Sequence, residues 1–123
     1  MRGKLLVALI AALLITVAPV ASASAHAFPD RSLPAVGGTV TQSPPEIRIW
    51  FTQKLEPAFS TIEVFDASGS RVDQGNSSVD AQDPSVLLVS LKPLGAGTYK
   101  VTWHVVSVDT HATEGNFSFT VKP

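Results

Sequence analysis

The sequence predicts an all-β domain, a β-sandwich or barrel of Greek-key type with about seven short antiparallel strands. Strand-like runs recur at short spacing, and Pro, Gly, Asn, Asp and Ser separate them, whereas helix signals are poor. Within the longer runs, apolar and polar residues alternate. This period of two is typical of a sheet with one face on a core and the other in water.

The elements follow in order along the chain. A short first segment at 27–33 ends at a proline, and strands are predicted at 46–52, 60–66 and 86–91. The polar stretch 67–83 predicts a loop with one weak strand near Arg71–Val72. The longest strand is predicted at 98–108, and the last at 116–121. In the longest strand Tyr99 and Trp103 fall on the core face, while His104 falls on the solvent face.

The first residues have the three-part pattern of a secretory signal peptide. Arg2 and Lys4 precede an apolar run at 5–18, and a tract of Ala and Ser follows. Cleavage is predicted after Ala25, and cleavage after Ala23 is the competing site because both fit the small-residue rule. A transmembrane anchor is the alternative. The apolar run disfavours it, because a transmembrane helix needs roughly 20 residues and this run is shorter.

The predicted organisation is therefore a cleaved signal peptide, 1–25, and one β-sandwich domain, 26–123. Loss of the first segment removes two of nine basic residues and none of ten acidic ones, so the net charge changes from −1 to −3. That balance gives no support to nucleic-acid binding. The chain has no cysteine, which excludes disulfides and thiolate metal sites. We expect a soluble, monomeric protein in the periplasm, or outside a cell with a single membrane.

The stretch VVSVDTHATEG at 105–115 carries the candidate chemistry. In an extended chain, residues two apart face the same side, so Asp109 and His111 are expected to point together. A local turn role is the open alternative, because Asp is common at loop ends. After cleavage His26 would be the first residue and would offer its α-amine and its ring nitrogen. If it lies near the junction, three nitrogens and one oxygen form the tetragonal set that favours Cu(II).

His104 is interpreted as a surface histidine, with a weak secondary metal site as the alternative. Glu56, Glu63 and Glu114 are scattered, and no pair of acids stands out for acid–base chemistry. We find no serine in a nucleophile turn and no Gly-rich phosphate loop in the sequence. The motifs therefore give no support to acid–base catalysis, to a serine nucleophile or to phosphate binding.

Two runs resemble the CopC copper-resistance domain: LEPAFSTIEVFDASG at 55–69 and LKPLGAGTYKVTWHVVSVDTHATEGNFSFTV at 91–121. The resemblance covers essentially all of 26–123. It implies an immunoglobulin-like Greek-key β-sandwich that binds one Cu(II) per mature chain outside the cytoplasm. The implied ligands are the N-terminal histidine and the Asp and His of the VVSxDxH motif, here His26, Asp109 and His111. It also implies a separate CopD-type membrane copper transporter as a partner.

The sequence departs from the family pattern at several positions. Some members add a Met-rich loop for Cu(I), but the only methionine here is Met1. Thr110 and Ala112 stand where Gly and Pro often occur, and His104 stands where Arg often occurs. The first two changes affect the loop and leave the ligands intact.

Three functions follow from these observations. The first is a Cu(II) carrier or buffer in copper homeostasis or resistance, which is not an enzyme. The second is a copper-dependent oxidative enzyme of the polysaccharide-oxygenase type, which shares the amine–imidazole–imidazole donor set. The third is a metal-independent, immunoglobulin-like interaction module, whose function would survive replacement of both His26 and His111.

Overall fold

Two four-stranded β-sheets face each other across one core in the computed structural model, which describes residues 26–123. The strands are β1 Pro29–Leu33, β2 Thr39–Val40, β3 Glu46–Phe51, β4 Thr61–Phe65, β5 Ser78–Val79, β6 Val86–Ser90, β7 Gly97–Val106 and β8 Ala112–Val121. A 3₁₀ turn, Pro57–Phe59, precedes β4. One sheet has the order β1-β3-β6-β5, and the other has the order β2-β8-β7-β4. The predicted all-β sandwich is confirmed.

The predicted signal peptide, 1–25, lies outside the described residues. From residue 26 onward, the chain contains no helix with the length and apolar character needed to cross a membrane.

Two local expectations about strands were wrong. The pairing is not entirely antiparallel, because β2 runs parallel to β8 at the edge of its sheet. The weak strand expected near Arg71–Val72 is reduced to isolated bridges, from Arg71 to Phe65 and from Asp73 to Leu91. The described part of this stretch instead places its two-residue strand, β5, against β6. The sequence does not reveal β2, β5 or the isolated bridges, because each has too few residues to show a period of two.

The alternating residues of the longer strands form the core, as predicted. The buried side chains come from both sheets, and burial of each large one contributes about 1.5–3 kcal/mol to folding. They include Ile47, Ile49, Phe51, Ile62, Val64, Leu87, Val89, Tyr99, Val101, Trp103, Val105, Phe117, Phe119 and Val121. The opposite face of β7 is more open, and His104 on it is exposed.

The β7–β8 hairpin is the longest feature of the fold and carries the candidate site at its turn. Its pairing runs without a shift from Gly97 opposite Val121 to Val106 opposite Ala112. Strand β8 therefore begins earlier than position 116, where the sequence predicts it. The predicted start was too late partly because Gly115 is a residue typical of loops. In the structure Gly115 lies within β8, opposite Trp103. A Cβ atom there would lie 2.5 Å from Cζ2 of Trp103.

Candidate metal centre

The turn between β7 and β8 brings Asp109 and His111 together. The sequence predicts the pair on an extended chain, but residues 108–110 form a turn instead. The backbone N–H of Thr110 donates to the carbonyl oxygen of Ser107 at 2.8 Å, which closes a tight turn. Thr110 has a φ of 73°, in the left-handed region that favours glycine. The turn leaves Oδ1 of Asp109 3.5 Å from Nδ1 of His111.

Ser107 organises this turn from inside the fold. Its relative exposure is 0%, and its backbone N–H donates to the carbonyl oxygen of His111 at 3.0 Å. Its hydroxyl group donates to the carboxylate of Asp109. This hydrogen bond, together with the nearby His111 ring, holds the pKa of Asp109 below its ordinary value. Asp109 is therefore a carboxylate at neutral pH and offers a negative charge to a cation.

His26 lies beside this turn although it comes from the other end of the described chain. The ring centroids of His26 and His111 are 4.9 Å apart, and the rings are tilted by 39°. The next residue, Ala27, is fully buried. Its carbonyl oxygen accepts a hydrogen bond of 2.7 Å from the hydroxyl group of Thr113 in β8. The expected proximity of the first segment to the Asp–x–His junction is thus present.

The donor atoms suit a borderline divalent transition metal, since imidazole nitrogens are its usual ligands and a carboxylate offsets its charge. The side chains of His111 and Asp109 are 50% and 43% exposed, so they can rotate toward a cation. Within residues 26–123 no three His, Asp or Glu side chains already form a group arranged to hold a metal ion. A metal would therefore have to reorient at least one of the three candidates.

His104 lies apart from the turn, on the outer face of β7, as the strand pattern predicts. Its side chain is 50% exposed, and its Nε2 lies 3.1 Å from Oε2 of Glu114. These two residues are direct cross-strand partners. A polar contact of this kind between exposed cross-strand partners is typical of a sheet surface.

Sequence reasoning missed three residues that shape the site. Ser107 supports the Asp109 carboxylate, and its position two residues earlier in the motif was an available signal. Ala27 and Thr113 had no such local signal, because their hydrogen bond joins residues 86 positions apart. No local pattern indicates such a pair.

The fold and the site together define a class of protein. It is a small two-sheet β-sandwich in which a histidine on the first segment faces an Asp–x–His turn on the longest hairpin. The family model described as the CopC domain matches residues 30–122. The chain therefore belongs to the CopC domain family, as the resemblance in the sequence indicated.

Curated relatives and solved structures agree with this assignment. The chain is 36% identical to protein YobA of Escherichia coli over 115 residues, 90% of each chain. It is 36% identical over 113 residues to copper resistance protein C of Xanthomonas campestris, which covers 85% of this chain and 88% of that protein. The crystal structure of CopC from Methylosinus trichosporium matches with a TM-score of 0.75 and 33% identity, over 80% of this chain and 95% of that one.

Proposed function

We propose that this chain is an exported Cu(II) carrier or buffer in copper homeostasis or resistance, and not an enzyme. Signal-peptide cleavage after Ala25 leaves the domain 26–123 with His26 as its first residue. His26, Asp109 and His111 then hold one Cu(II) as cargo. The observation that carries the proposal is the 4.9 Å approach of the His26 and His111 rings beside the Asp109 carboxylate.

The donor chemistry supports copper over other divalent metals. A first-position histidine contributes its α-amine and a ring nitrogen to one chelate ring, and His111 adds a third nitrogen. With one carboxylate oxygen these make a tetragonal set that suits Cu(II), which also stands above Zn(II) in affinity for such ligands. The Asp109 carboxylate partly offsets the charge of the ion. The α-amine exists only after cleavage, so processing after Ala25 is part of the proposed site.

The oxidation state follows from the lack of soft ligands. Cu(I) prefers thioether and thiolate donors, and this sequence contains no cysteine and only Met1. Met1 is removed with the predicted signal peptide. The mature domain is therefore proposed to carry copper as Cu(II) alone.

The exposure of the proposed ligands supports the role of a carrier, which must exchange its metal with other proteins. Half of the His111 side chain and much of Asp109 face solvent, so another protein can reach the ion. The family relation to proteins named for copper resistance supports the same role. We propose delivery to, or from, a separate CopD-type membrane copper transporter, in the periplasm or outside a cell with a single membrane.

The test is a Cu(II) titration against a competing chelator, on protein expressed as the full chain and recovered after export. Mass spectrometry first establishes whether the protein begins at His26. The variants are His26→Ala, His111→Ala and one with a glycine inserted between Ala25 and His26. His104→Ala is the matched control, because His104 is an equally exposed histidine outside the turn.

We expect one equivalent of tightly bound Cu(II), with a large loss of affinity in the first three variants and none in the control. A processed N-terminus other than His26, or equal affinity with the inserted glycine, would overturn the amine as a ligand. A loss of Cu(II) affinity in His104→Ala alone would show that the metal binds on the outer face of β7 instead. Absence of Cu(II) binding would favour a metal-independent interaction module.

A further inference from the structure

We infer that Thr113 is a positioning residue for the copper site. Its hydroxyl group holds the carbonyl oxygen of Ala27 and so keeps His26 in front of His111. The inference rests on the proposed function, and it adds a residue that is not itself a metal ligand.

Thr113 lies at the inner edge of the sandwich. It pairs directly with Val105 across the β7–β8 hairpin, and Val105 is almost completely buried. Directly opposed residues point to the same face of a sheet, so Thr113 faces inward where the core ends. From there its hydroxyl group donates to Ala27 at 2.7 Å.

The other sheet holds the same segment from the opposite side. The backbone N–H of Phe28 donates to Oγ1 of Thr52 at 3.1 Å, and the N–H of Thr52 donates to the carbonyl oxygen of Phe28 at 2.9 Å. Thr52 directly follows β3 in the chain. The Ala27 side chain is buried within the core cluster. Residues 27 and 28 are therefore attached to both sheets at the end of the sandwich that carries the β7–β8 turn.

This attachment matters because His26 is proposed to supply two of the four donor atoms. Its Cα atom is only about 3.8 Å from that of Ala27, so its amine and ring move with the anchored residue. Chain ends that are not tied down fray. A frayed end must be ordered when the metal binds, and that ordering lowers affinity. Loss of a residue that supports a metal ligand typically lowers metal affinity about 10- to 100-fold.

The test uses exported, processed protein with the substitutions Thr113→Val, Thr113→Ser and Thr52→Val. Valine matches the shape of threonine and removes the hydroxyl group, whereas serine retains it. Thr98→Val is the control, since Thr98 is an exposed threonine at the other end of the same hairpin. Three quantities are measured: Cu(II) affinity, the Cu(II) electron paramagnetic resonance spectrum, and the rate at which an aminopeptidase removes His26 from the metal-free protein.

We expect Thr113→Val to lose about 10- to 100-fold in Cu(II) affinity, to change the spectrum, and to release His26 faster without metal. Thr113→Ser should stay near wild type, Thr52→Val should change in the same direction as Thr113→Val, and Thr98→Val should not change. Wild-type affinity in Thr113→Val would overturn the inference even if trimming accelerates. An equal loss in Thr113→Ser would also overturn it, because the hydroxyl group would not be responsible. The trimming rate needs no copper, so it separates failure of this anchor from failure of copper binding.

Discussion

Removal of the Asp73 side chain should destabilise the domain strongly, although Asp73 lies in a stretch that resembles a polar loop. Its side chain is completely buried. Its carboxylate accepts hydrogen bonds from the backbone N–H groups of Val64 at 2.9 Å and Gly75 at 2.8 Å. Arg71 donates two more, at 2.9 and 3.1 Å. Asp73 therefore ties the segment between β4 and β5 to β4.

The magnitude for Asp73→Ala follows from which partners can reach water. Val64 is fully buried, so its N–H group would lose its acceptor at a cost of about 1–3 kcal/mol. Gly75 is exposed, and the Arg71 side chain is 49% exposed. Water can therefore replace the Asp73 carboxylate at both residues, and the loss of each partner should cost only about 0–1 kcal/mol of stability. We expect a loss of about 3 kcal/mol in all, from a total stability of about 5–15 kcal/mol. The melting temperature should fall by about 12–24 °C.

The same substitution should change how stability depends on pH. Burial acts to raise the pKa of Asp73, but the hydrogen bonds from Arg71, Val64 and Gly75 outweigh it and hold the pKa below its ordinary value. The unfolded chain then binds the proton more tightly than the folded one. The stabilisation is complete above the unfolded pKa of about 3.9 and is lost as the pH falls through the lower folded value. The deficit of Asp73→Ala should therefore shrink in acid.

The assay is urea unfolding at neutral pH and at about pH 3, followed by the fluorescence of the buried Trp103. Asp66→Ala is the control, because Asp66 also accepts backbone hydrogen bonds, from Ser68 and Ser70, but at an exposed site. Water can replace those bonds, so the control should change little. A free energy of unfolding for Asp73→Ala within about 0.5 kcal/mol of wild type at neutral pH would refute the reasoning.

Three further outcomes are expected. Gly115→Ala places a Cβ atom 2.5 Å from Cζ2 of Trp103 and should cost about 1–3 kcal/mol in urea unfolding. Gly95→Ala, where a Cβ would meet no atom within 4 Å, should cost almost nothing, and equal losses would contradict the packing argument. Thr110→Gly should raise stability by up to about 1 kcal/mol, because glycine adopts the φ of 73° without strain; a lower melting temperature would count against it. Cu(II) affinity should fall steeply below about pH 6, because amine and imidazole nitrogens must lose protons to bind, and a chelator competition that gives equal affinity at about pH 8 and pH 5 would exclude a site of three nitrogens.

Thr110 has an unusual backbone conformation for its residue type. The family pattern often has glycine at this position, and the backbone here adopts the conformation that glycine favours. The turn that brings Asp109 to His111 therefore forms here with a β-branched residue in that conformation. Ser107 starts this turn, and its backbone N–H and hydroxyl groups donate to His111 and Asp109.

The sequence by itself determined the longer strands and singled out the candidate ligands. Period-two alternation identifies the buried face of β3, β7 and β8 because it depends only on residues next to one another in the chain. The Asp–x–His pair was equally local, and His26 was singled out by the cleavage pattern. Even where the assumed backbone was wrong, the short separation kept Asp109 and His111 close.

Only the tertiary structure decided which distant groups meet. The parallel pairing of β2 with β8, the burial of Asp73 within a polar stretch, and the bond from Thr113 to Ala27 all join segments from different parts of the chain. Each depends on how the two sheets stack and where their ends coincide, and no residue pattern within one strand encodes that. For the same reason, the sequence proposed His26 as a ligand, but only the packed sandwich brings its ring beside that of His111.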